Sequence, residues 1–559
     1  MSERTRQWLA AHPYWTLALV TIAAFLPFLA KPFNIDDPLF LWTAQQIHTH
    51  PGDPYGFLVD WDTTATPMWK ITENPPLACY YLALATAILG WSEMAVHTAM
   101  LLPAIAVVLG TYRLAKNYCR HPLFAALIAL FTPVFLISAN TAMCDVSMLA
   151  FWVWAVVLWL EGLPANTVWK LVLAGVFIGL AALTKYYGAC LLPLLGAYAL
   201  VQRRPLTRWA QYLLVPLAIL VAYQYATSAY GGLFYRAMDY ATFSKGFFGV
   251  SKLQGILCGL AFTGGCLAPI LFFGPILSRK PAFIFFGVLA VVVALIVFGD
   301  GQLWKNYGNI PAACWPWIKA QLTVWILAGL GLLALSLWNL WRQRDANSLL
   351  LLLWVAGTFY FAIFCNWTVN ARSILPMTPA VAILIAQQLE RNRHRALTDL
   401  SKGAWFALAL CAIFALLTES ADFSAAVAVR TSAGQVLEKY ASASGTLWYE
   451  GHWGFQYYMN RAGASAMDYE HPGLRPGDHV VVPANNTNLQ PPDPQLSDLT
   501  DTFTVPVSSP LSTFNTWTGA GFYAASMGPL PFTFGSVPAE IVRVYYLKPI
   551  TPSTKPALP

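Results

Sequence analysis

The residues best suited to chemistry in this sequence are two adjacent carboxylates, Asp36 and Asp37, which follow the first apolar segment. Pro38 comes next, and an Asp followed by Pro is typical of a helix start, with the Asp as N-cap and the Pro at the first helical position. Capping therefore accounts for Asp37 as readily as a catalytic role does. Asp36 is a spare acid that could accept a proton from a reacting hydroxyl, and the alternative is a solvated loop carboxylate.

Other ionisable residues stand at the ends of apolar segments. Asp145 precedes the apolar run that begins at Val146, and its structural alternative is to cap that helix. Lys185 and Arg372 are suited to binding a phosphate, because an ammonium group provides a point charge and a guanidinium group provides bidentate contacts. Their alternatives are a snorkelling lysine and a positive flank of a span.

The composition indicates a polytopic membrane protein. Of the 559 residues, 57% are hydrophobic and only 11% are charged, whereas soluble domains carry about 25% charged residues. The net charge of +7 comes from cations clustered in short loops between apolar segments, which is the positive-inside pattern and predicts no nucleic-acid partner. The nine cysteines are dispersed without metal-ligand spacing, so disulfides and structural zinc are not expected.

The apolar segments predict about thirteen transmembrane helices. A further helix at 75–90 would be too short to cross a hydrocarbon core of about 30 Å, and we expect it to lie along the outer surface. With that topology every basic cluster is cytoplasmic and the candidate site residues all face the outside. The predicted spans are 14–30, 94–117, 122–138, 146–162, 168–184, 187–201, 209–227, 253–277, 282–299, 319–340, 348–365, 373–389 and 403–418.

The sequence predicts two domains. Residues 1–418 would form the transmembrane catalytic domain, with an outer loop, 31–93, that carries juxtamembrane helices. Residues 419–559 are polar and rich in Pro, Ser and Thr, and predict a small outer α/β domain. In it, 446–449 and 479–482 are expected to be short strands and 456–461 a helical segment.

Five motifs, taken together and in order, resemble those of a known superfamily. They are Asp36-Asp37 after the first span, Asn74-Pro75-Pro76-Leu77 before the juxtamembrane helix, Asp145 before the fourth span, Leu183-Thr184-Lys185 after the fifth, and Arg372-Ser373-Ile374-Leu375-Pro376. The set resembles the GT-C superfamily of polyprenyl-phosphate-sugar glycosyltransferases, specifically bacterial relatives of the protein O-mannosyltransferases and of the aminoarabinose transferase that modifies lipid A. Two departures are Asp37, where the family usually has Glu, and Glu73, where some relatives carry a cation.

The resemblance implies a GT-C fold in the inner (plasma) membrane and an inverting transfer of a sugar on the outer face. The donor would be an undecaprenyl- or dolichyl-type phosphate carrier, and the acceptor a hydroxyl or phosphate on a lipid, glycan or protein. Some members use a divalent cation, for which this sequence has no clear ligand set. The implied roles are Asp36 or Asp37 as base or acceptor-orienting group with Asp145 assisting, Lys185 and Arg372 for the donor phosphate, and Glu73, Asn74 and Tyr186 for substrate contacts.

Two other classes of protein are alternatives. A transporter of lipid-linked glycans would be expected to carry charges near the centres of its spans, internal repeats and broken helices, and the sequence shows no charge or convincing repeat of that kind. A non-catalytic scaffold that presents the C-terminal domain would tolerate Asp36→Asn and Asp145→Asn without loss of function.

Overall fold

A computed structural model of the chain describes residues 11–72, 74–243, 251–277, 280–299, 301–391 and 400–549. Among these residues, five helices are long and apolar enough to cross a membrane, or seven if each of two bent helix pairs counts as one span. Several shorter apolar helices of 10–17 residues accompany them. The chain is therefore a helical membrane protein, as the composition predicts, while the number of about thirteen spans stays a prediction.

Two of the predicted spans are broken in the middle. The segment predicted at 122–138 consists of helices Pro122–Leu130 and Pro133–Ala139, which meet at 65°, and the segment predicted at 253–277 consists of Lys252–Cys266 and Pro269–Leu277, which meet at 80°. In each case the second half begins at a proline. Proline has no backbone N–H and disfavours the helical conformation of the residue before it, so the helix ends there.

The described residues form two compact units. The first unit takes its residues from Met1–Ala30, Asn74–Asp422 and Leu511–Gly535. Its α-helices are Pro13–Phe25, Leu77–Leu89, Glu93–Ala115, Pro122–Leu130, Pro133–Ala139, Asp145–Gly162, Val168–Thr184, Leu191–Val201, Leu214–Ala226, Leu233–Phe243, Lys252–Cys266, Pro269–Leu277, Lys280–Gly299, Trp315–Gln343, Ala346–Phe364, Ala371–Ile374 and Thr378–Arg391. The helix predicted at 75–90 is thus present as Leu77–Leu89.

A segment distant in sequence completes the first unit. Residues 511–535 form two small antiparallel pairs, Leu511–Ser512 with Thr533–Phe534 and Phe514–Asn515 with Ala520–Gly521. The backbone N–H of Ala371 donates to Phe522 O at 2.8 Å, and the N–H of Ala525 donates to Val369 O at 2.8 Å. These bonds attach the segment to the loop that carries Arg372.

The second unit takes its residues from Lys31–Glu73, Phe423–Pro510 and Ser536–Pro559. It contains helices Asp37–Thr49, Met68–Ile71 and Trp453–Arg461, and a hairpin of Leu58–Asp60 and Ala65–Pro67. Its five-stranded sheet has the strand order Ser465–Ala466, Leu447–Tyr449, His479–Pro483, Glu540–Leu547, Ser497–Val505. The first three strands are parallel and the last two pairings are antiparallel.

The predicted elements of the C-terminal region are confirmed. The strands expected at 446–449 and 479–482 are Leu447–Tyr449 and His479–Pro483, and the helical segment 456–461 lies within Trp453–Arg461. Alternate residues of the strands, such as Val481, Val542 and Val544, are fully buried with Phe455 and Met459 in one apolar cluster. Val480 and Val482, which alternate with Val481 along the same strand, are buried with Met467 in a second apolar cluster, so this strand is covered on both faces.

The compact units do not coincide with the predicted division at 418/419. Helix Lys402–Tyr440 runs through that boundary without a break, the loop 31–73 groups with the polar C-terminal region, and 511–535 groups with the membrane helices. Sequence proximity does not decide such grouping, because it depends on which surfaces of distant segments pack together. As functional domains, 1–418 and 419–559 stay a prediction.

Close helix packing in the first unit depends on two glycines. Helices Lys252–Cys266 and Trp315–Gln343 approach so closely that a Cβ atom on Gly264 would overlap the backbone of Trp325, and one on Gly329 would overlap the backbone of Leu260. Small residues at such crossings let helix backbones approach, which is the usual way in which helices associate in membranes.

We therefore expect Gly329→Ala to lower the thermal stability of the purified protein in detergent, by about 1–3 kcal/mol, because backbone atoms cannot move aside as a flexible side chain can. Gly357→Ala is the matched control, because a Cβ atom at Gly357, which lies in helix Ala346–Phe364, meets nothing within 4 Å. Equal melting temperatures for the two variants would contradict the close approach.

Candidate active site

An ion pair between Asp145 and Lys185 forms the centre of the candidate site in the first unit. Asp145 begins helix Asp145–Gly162, and Lys185 follows the end of helix Val168–Thr184 in an extended conformation. These two helices pack along each other, so the start of one meets the end of the other. Lys185 Nζ donates to Asp145 Oδ1 at 2.6 Å.

The environment of the two charges is asymmetric. The Asp145 side chain is 1% exposed, whereas that of Lys185 is 19% exposed. Asp145 Oδ2 is buried and has no hydrogen-bond partner among the described residues. A buried carboxylate oxygen without a donor is unfavourable, so this atom is ready to accept a hydrogen bond from a bound molecule.

Arg372 lies beside the loop that precedes Asp145. It sits in the short helix Ala371–Ile374, whose N-cap Asn370 accepts a hydrogen bond from the backbone N–H of Ser373. Arg372 Nη1 is 2.8 Å from Met143 Sδ, two residues before Asp145. The structure therefore brings Asp145, Lys185 and Arg372 to one region, and the role of the two cations in binding a phosphate stays a prediction.

The thiol of Cys144, the residue before Asp145, is affected by the charges of Asp145, Lys185 and Arg372. Burial is the main cause that raises the pKa of its thiol, to about 12, and Asp145 raises it further. Lys185 and Arg372 both act in the opposite direction, because a nearby cation favours the thiolate. Both cations therefore lie within electrostatic reach of this one residue.

Sequence reasoning missed two residues that hold Arg372. The guanidinium carbon of Arg372 lies 5.9 Å from the ring centre of Tyr523, within the range of a cation–π contact. The Tyr523 hydroxyl donates to Asp422 Oδ2 at 2.8 Å, and Thr513 Oγ1 donates to Asp422 Oδ1 at 2.7 Å. Asp422 thus fixes the aromatic ring that faces the cation.

A second missed acid is Glu419, one helical turn before Asp422 on helix Lys402–Tyr440. Asn140 Nδ2 donates to Glu419 Oε1 at 2.6 Å and to Phe28 O at 3.2 Å. Both acids are fully buried. The available sequence signal was a pair of carboxylates three residues apart, hence on one helix face, directly after an apolar run.

The predicted substrate-contact residues have separate outcomes. Tyr186 follows Lys185 directly, and its ring centre lies 6.4 Å from that of Tyr223 and 5.5 Å from that of Phe234. Asn74 is half-buried and stands three residues before helix Leu77–Leu89. Glu73 lies outside the described residues.

Asp36 and Asp37 belong to the second unit, at the start of helix Asp37–Thr49. The prediction that Asp37 is the N-cap is wrong by one residue: Asp36 occupies the N-cap position, without a capping side-chain hydrogen bond, and Asp37 is the first helical residue. Pro38 is tolerated at the second position because the first four N–H groups of a helix have no intrahelical partner.

The two acids therefore have different surroundings. The Asp37 side chain is buried, and its Oδ2 accepts the backbone N–H of Asn34 at 3.1 Å. Asp36 is half-buried and more accessible. Ile35, just before them, has a φ of 50°, a left-handed conformation that is unfavourable for a β-branched residue and that is often found at functional sites.

Among the described ranges, no group of three or more His, Cys, Asp or Glu side chains is arranged to hold a metal ion. Those residues therefore show no ligand set that fits the divalent cation implied by the resemblance.

Part of this sequence is similar to a known protein family. Residues 73–225 match the family model described as dolichyl-phosphate-mannose-protein mannosyltransferase. The matched segment contains Asp145 and Lys185. The predicted resemblance to the GT-C superfamily is confirmed over that segment. No curated protein sequence matches the chain.

Solved structures of GT-C proteins are also similar to this chain. The oligosaccharyltransferase of Archaeoglobus fulgidus has 16% identity and a TM-score of 0.48, with 82% of this chain and 65% of that chain covered. This chain thus spans less than two thirds of the length of that protein. ArnT from Cupriavidus metallidurans, bound to undecaprenyl phosphate, has 15% identity and a TM-score of 0.41, with 86% of this chain and 93% of that chain covered.

The Asp145–Lys185 pair gives a stability prediction. We expect Lys185→Met to destabilise the protein by about 3 kcal/mol, because it leaves the Asp145 carboxylate buried without its partner. The double variant Asp145→Asn/Lys185→Met should regain most of this loss, since it buries no charge. The measurement is thermal unfolding of the four proteins of this double-mutant cycle in detergent.

Lys170→Met is the control for this cycle. Lys170 Nζ also pairs with a carboxylate, Glu161 Oε2, at 2.8 Å, but Glu161 keeps a second partner in Arg113, whose Nε lies 2.6 Å from Oε1. We expect a loss of about 0–1 kcal/mol for this more exposed pair. A double variant that is less stable than Lys185→Met would contradict the buried pair.

Proposed function

We propose that this protein is a membrane glycosyltransferase that moves a sugar from a polyprenyl-phosphate carrier to an acceptor hydroxyl on the outer face of the plasma membrane. The observation that carries the proposal is that Lys185 pairs with the buried Asp145 while Arg372 contacts Met143, two residues earlier, in a chain whose segment 73–225 resembles the mannosyltransferase family. Two cations at the ends of membrane helices suit a lipid-linked phosphate, which lies at that depth.

The cations would act on the charge that develops in the reaction. When the bond between the anomeric carbon and the phosphate oxygen breaks, that oxygen takes the electron pair and the phosphate gains a negative charge. Lys185 and Arg372 would stabilise the charge more strongly in the transition state than in the ground state, and this difference accelerates the reaction. The Lys185 ammonium has three N–H groups, so it can donate to Asp145 and to a phosphate at once.

An acid of the 36/37 pair would accept the proton from the acceptor hydroxyl, whose oxygen attacks the anomeric carbon from the face opposite the phosphate, with inversion. The surroundings support Asp36 as this base, because Asp37 is buried and occupied by the N–H of Asn34, whereas Asp36 is more accessible. Asp145, through its Oδ2 atom, would orient the substrate.

A transporter of lipid-linked glycans is the second candidate, and the two broken helices are the observation that supports it. Discontinuous helices form substrate sites in many transporters. The residues at the two breaks, Phe131-Thr132 and Leu267-Ala268, carry no charge. A pure transporter would move the labelled lipid between leaflets without releasing the sugar from its phosphate.

The proposal predicts loss of sugar transfer in Asp36→Asn. With radiolabelled polyprenyl-phosphate sugars and membrane extracts as acceptor, we expect kcat to fall by about 10²–10⁴ when the base is removed, with the KM for the donor little changed. Asp37→Asn and Asp145→Asn measured alongside show which other acids contribute. Asp498→Asn, an exposed acid paired with Lys548, is the control and should match wild type. Wild-type rates in all three site variants, with the fold intact and across a panel of donors, would refute the proposal.

Tyr523 provides a test of the phosphate site. Tyr523→Phe removes the hydrogen bond to Asp422 and frees the ring that faces Arg372, so we expect the donor KM to rise about three- to tenfold. Tyr523→Leu, which also removes the ring, should raise it further. Trp317→Phe is the control, because its indole also bonds to the 511–535 segment, at Phe534 O, but away from Arg372. An unchanged donor KM in both Tyr523 variants would contradict the positioning role.

A further inference from the structure

The second unit contains an open pocket of about 460 Å³ that the proposed reaction does not use. Its volume is within the range of small-molecule sites, about 300–1,000 Å³. Most of its polar lining comes from two helices, Asp37–Thr49 and Trp453–Arg461. A third side comes from the strand Leu58–Asp60, the first strand of the hairpin.

The polar residues of this pocket have helical spacing on both walls. On helix Asp37–Thr49, the lining residues Gln45, Gln46 and Thr49 stand three, four and seven positions after Trp42. This spacing places all four on one face of the helix. Gln456 and Asn460, four positions apart, line the pocket from helix Trp453–Arg461. Gln45 and Thr49 are exposed, and Trp42 and Gln46 are half-buried, so this face of the helix is open to a bound molecule.

Amides and an aromatic ring together suit a sugar. An amide can both donate and accept hydrogen bonds, as a sugar hydroxyl can. Gln46 and Gln456 already donate to the backbone carbonyls of Asp53 and Asp60, and Asn460 Oδ1 accepts from the Tyr449 hydroxyl. The Gln45 amide and the other polar atom of each of these three amides are the groups offered to a ligand. The C–H face of a pyranose ring is apolar and is buried favourably against an aromatic ring. Trp42 provides such a ring, and its position is fixed by Trp61 and Tyr457, whose ring centres each lie 6.5 Å away.

The charge of the pocket excludes a phosphate as its ligand. Asp60 is the one ionisable side chain among the described residues that line it, and no cation does so. Burial, together with the negative charges of Asp468 and Asp62, raises the pKa of Asp60 to about 6. At neutral pH the pocket is therefore acidic, and it repels an anion.

We infer that this pocket is a carbohydrate-binding site that holds an uncharged part of the acceptor glycan. The role as acceptor site rests on the proposed glycosyltransferase function, while sugar binding itself does not. Asp37 and Gln45 stand eight positions apart on the same helix, or about 12 Å at 1.5 Å per residue. A glycan of a few sugar residues bound in the pocket would therefore extend to the acid pair at the start of the helix.

The test is isothermal titration of the purified full-length chain in detergent with uncharged trisaccharides: mannotriose, chitotriose and maltotriose. We expect at least one of them to bind to wild type and to bind about three- to tenfold more weakly to Gln45→Ala, which loses one amide. Trp42→Ala should weaken binding at least tenfold. Mannotriose with a terminal 6-phosphate should bind more weakly than mannotriose itself.

Two controls separate this inference from a general loss of structure. Gln45 is exposed, so its replacement should not affect folding, which is checked by the melting temperature. Gln495→Ala removes an exposed amide of the same unit outside the pocket and should leave binding unchanged. No binding of any of the three trisaccharides to wild type, equal binding in both pocket variants, or tighter binding of the phosphorylated sugar would each overturn the inference.

The same measurements separate its failure from that of the proposed function. Asp36→Asn should retain trisaccharide binding while losing sugar transfer. If trisaccharide binding requires Trp42 and Gln45, but the Asp36, Asp37 and Asp145 variants all transfer sugar like wild type, the carbohydrate site is supported and the glycosyltransferase proposal is refuted. If sugar transfer requires Asp36 but wild type binds none of the trisaccharides, only the inference about the pocket is refuted.

Discussion

The first unit depends on how the buried carboxylate of Asp145 is neutralised. Asp145 is almost fully enclosed at the start of its helix, and a charge in that position is tolerated only with a partner. Lys185 is that partner, and it stands at the end of the next helix. The pair therefore fixes the relative positions of two helix ends. In the proposed reaction the same two side chains would also act on the substrate, through the Asp145 Oδ2 atom and the remaining N–H groups of the Lys185 ammonium.

Arg372, the other cation of the site, is positioned by an aromatic contact. Arg372 lies against the ring of Tyr523, and the hydroxyl of that tyrosine is in turn fixed by the buried Asp422. The residues 511–535 thus contribute to the membrane unit through Tyr523, although they follow a long polar region in the sequence.

The second unit combines two features on one helix. Helix Asp37–Thr49 begins at the acid pair and presents a face of Trp, Gln and Thr further along. Opposite this face lie Gln456 and Asn460. A helix fixes distances along its axis better than a loop does, so an acceptor that binds to the amide face would present its far end at a set distance from the acids.

The sequence by itself determined the properties that depend on composition and local pattern. The scarcity of charge predicted a membrane protein, the ionisable residues at the ends of apolar runs made Asp145, Lys185 and Arg372 candidates, and the short apolar runs at 446–449 and 479–482 predicted strands that the structure contains. Even locally it was incomplete: the N-cap was placed one residue late, and Pro133 and Pro269 within predicted spans were signals of broken helices that the hydrophobic run concealed.

The tertiary structure alone decided the contacts between distant segments. Tyr523 and Asp422 are 101 positions apart, and Gln456 faces a hairpin nearly 400 positions earlier, at Asp60, to whose backbone carbonyl it donates. Periodicity encodes which face of an element is buried, but the choice of the surface that covers it depends on the packing of the whole chain.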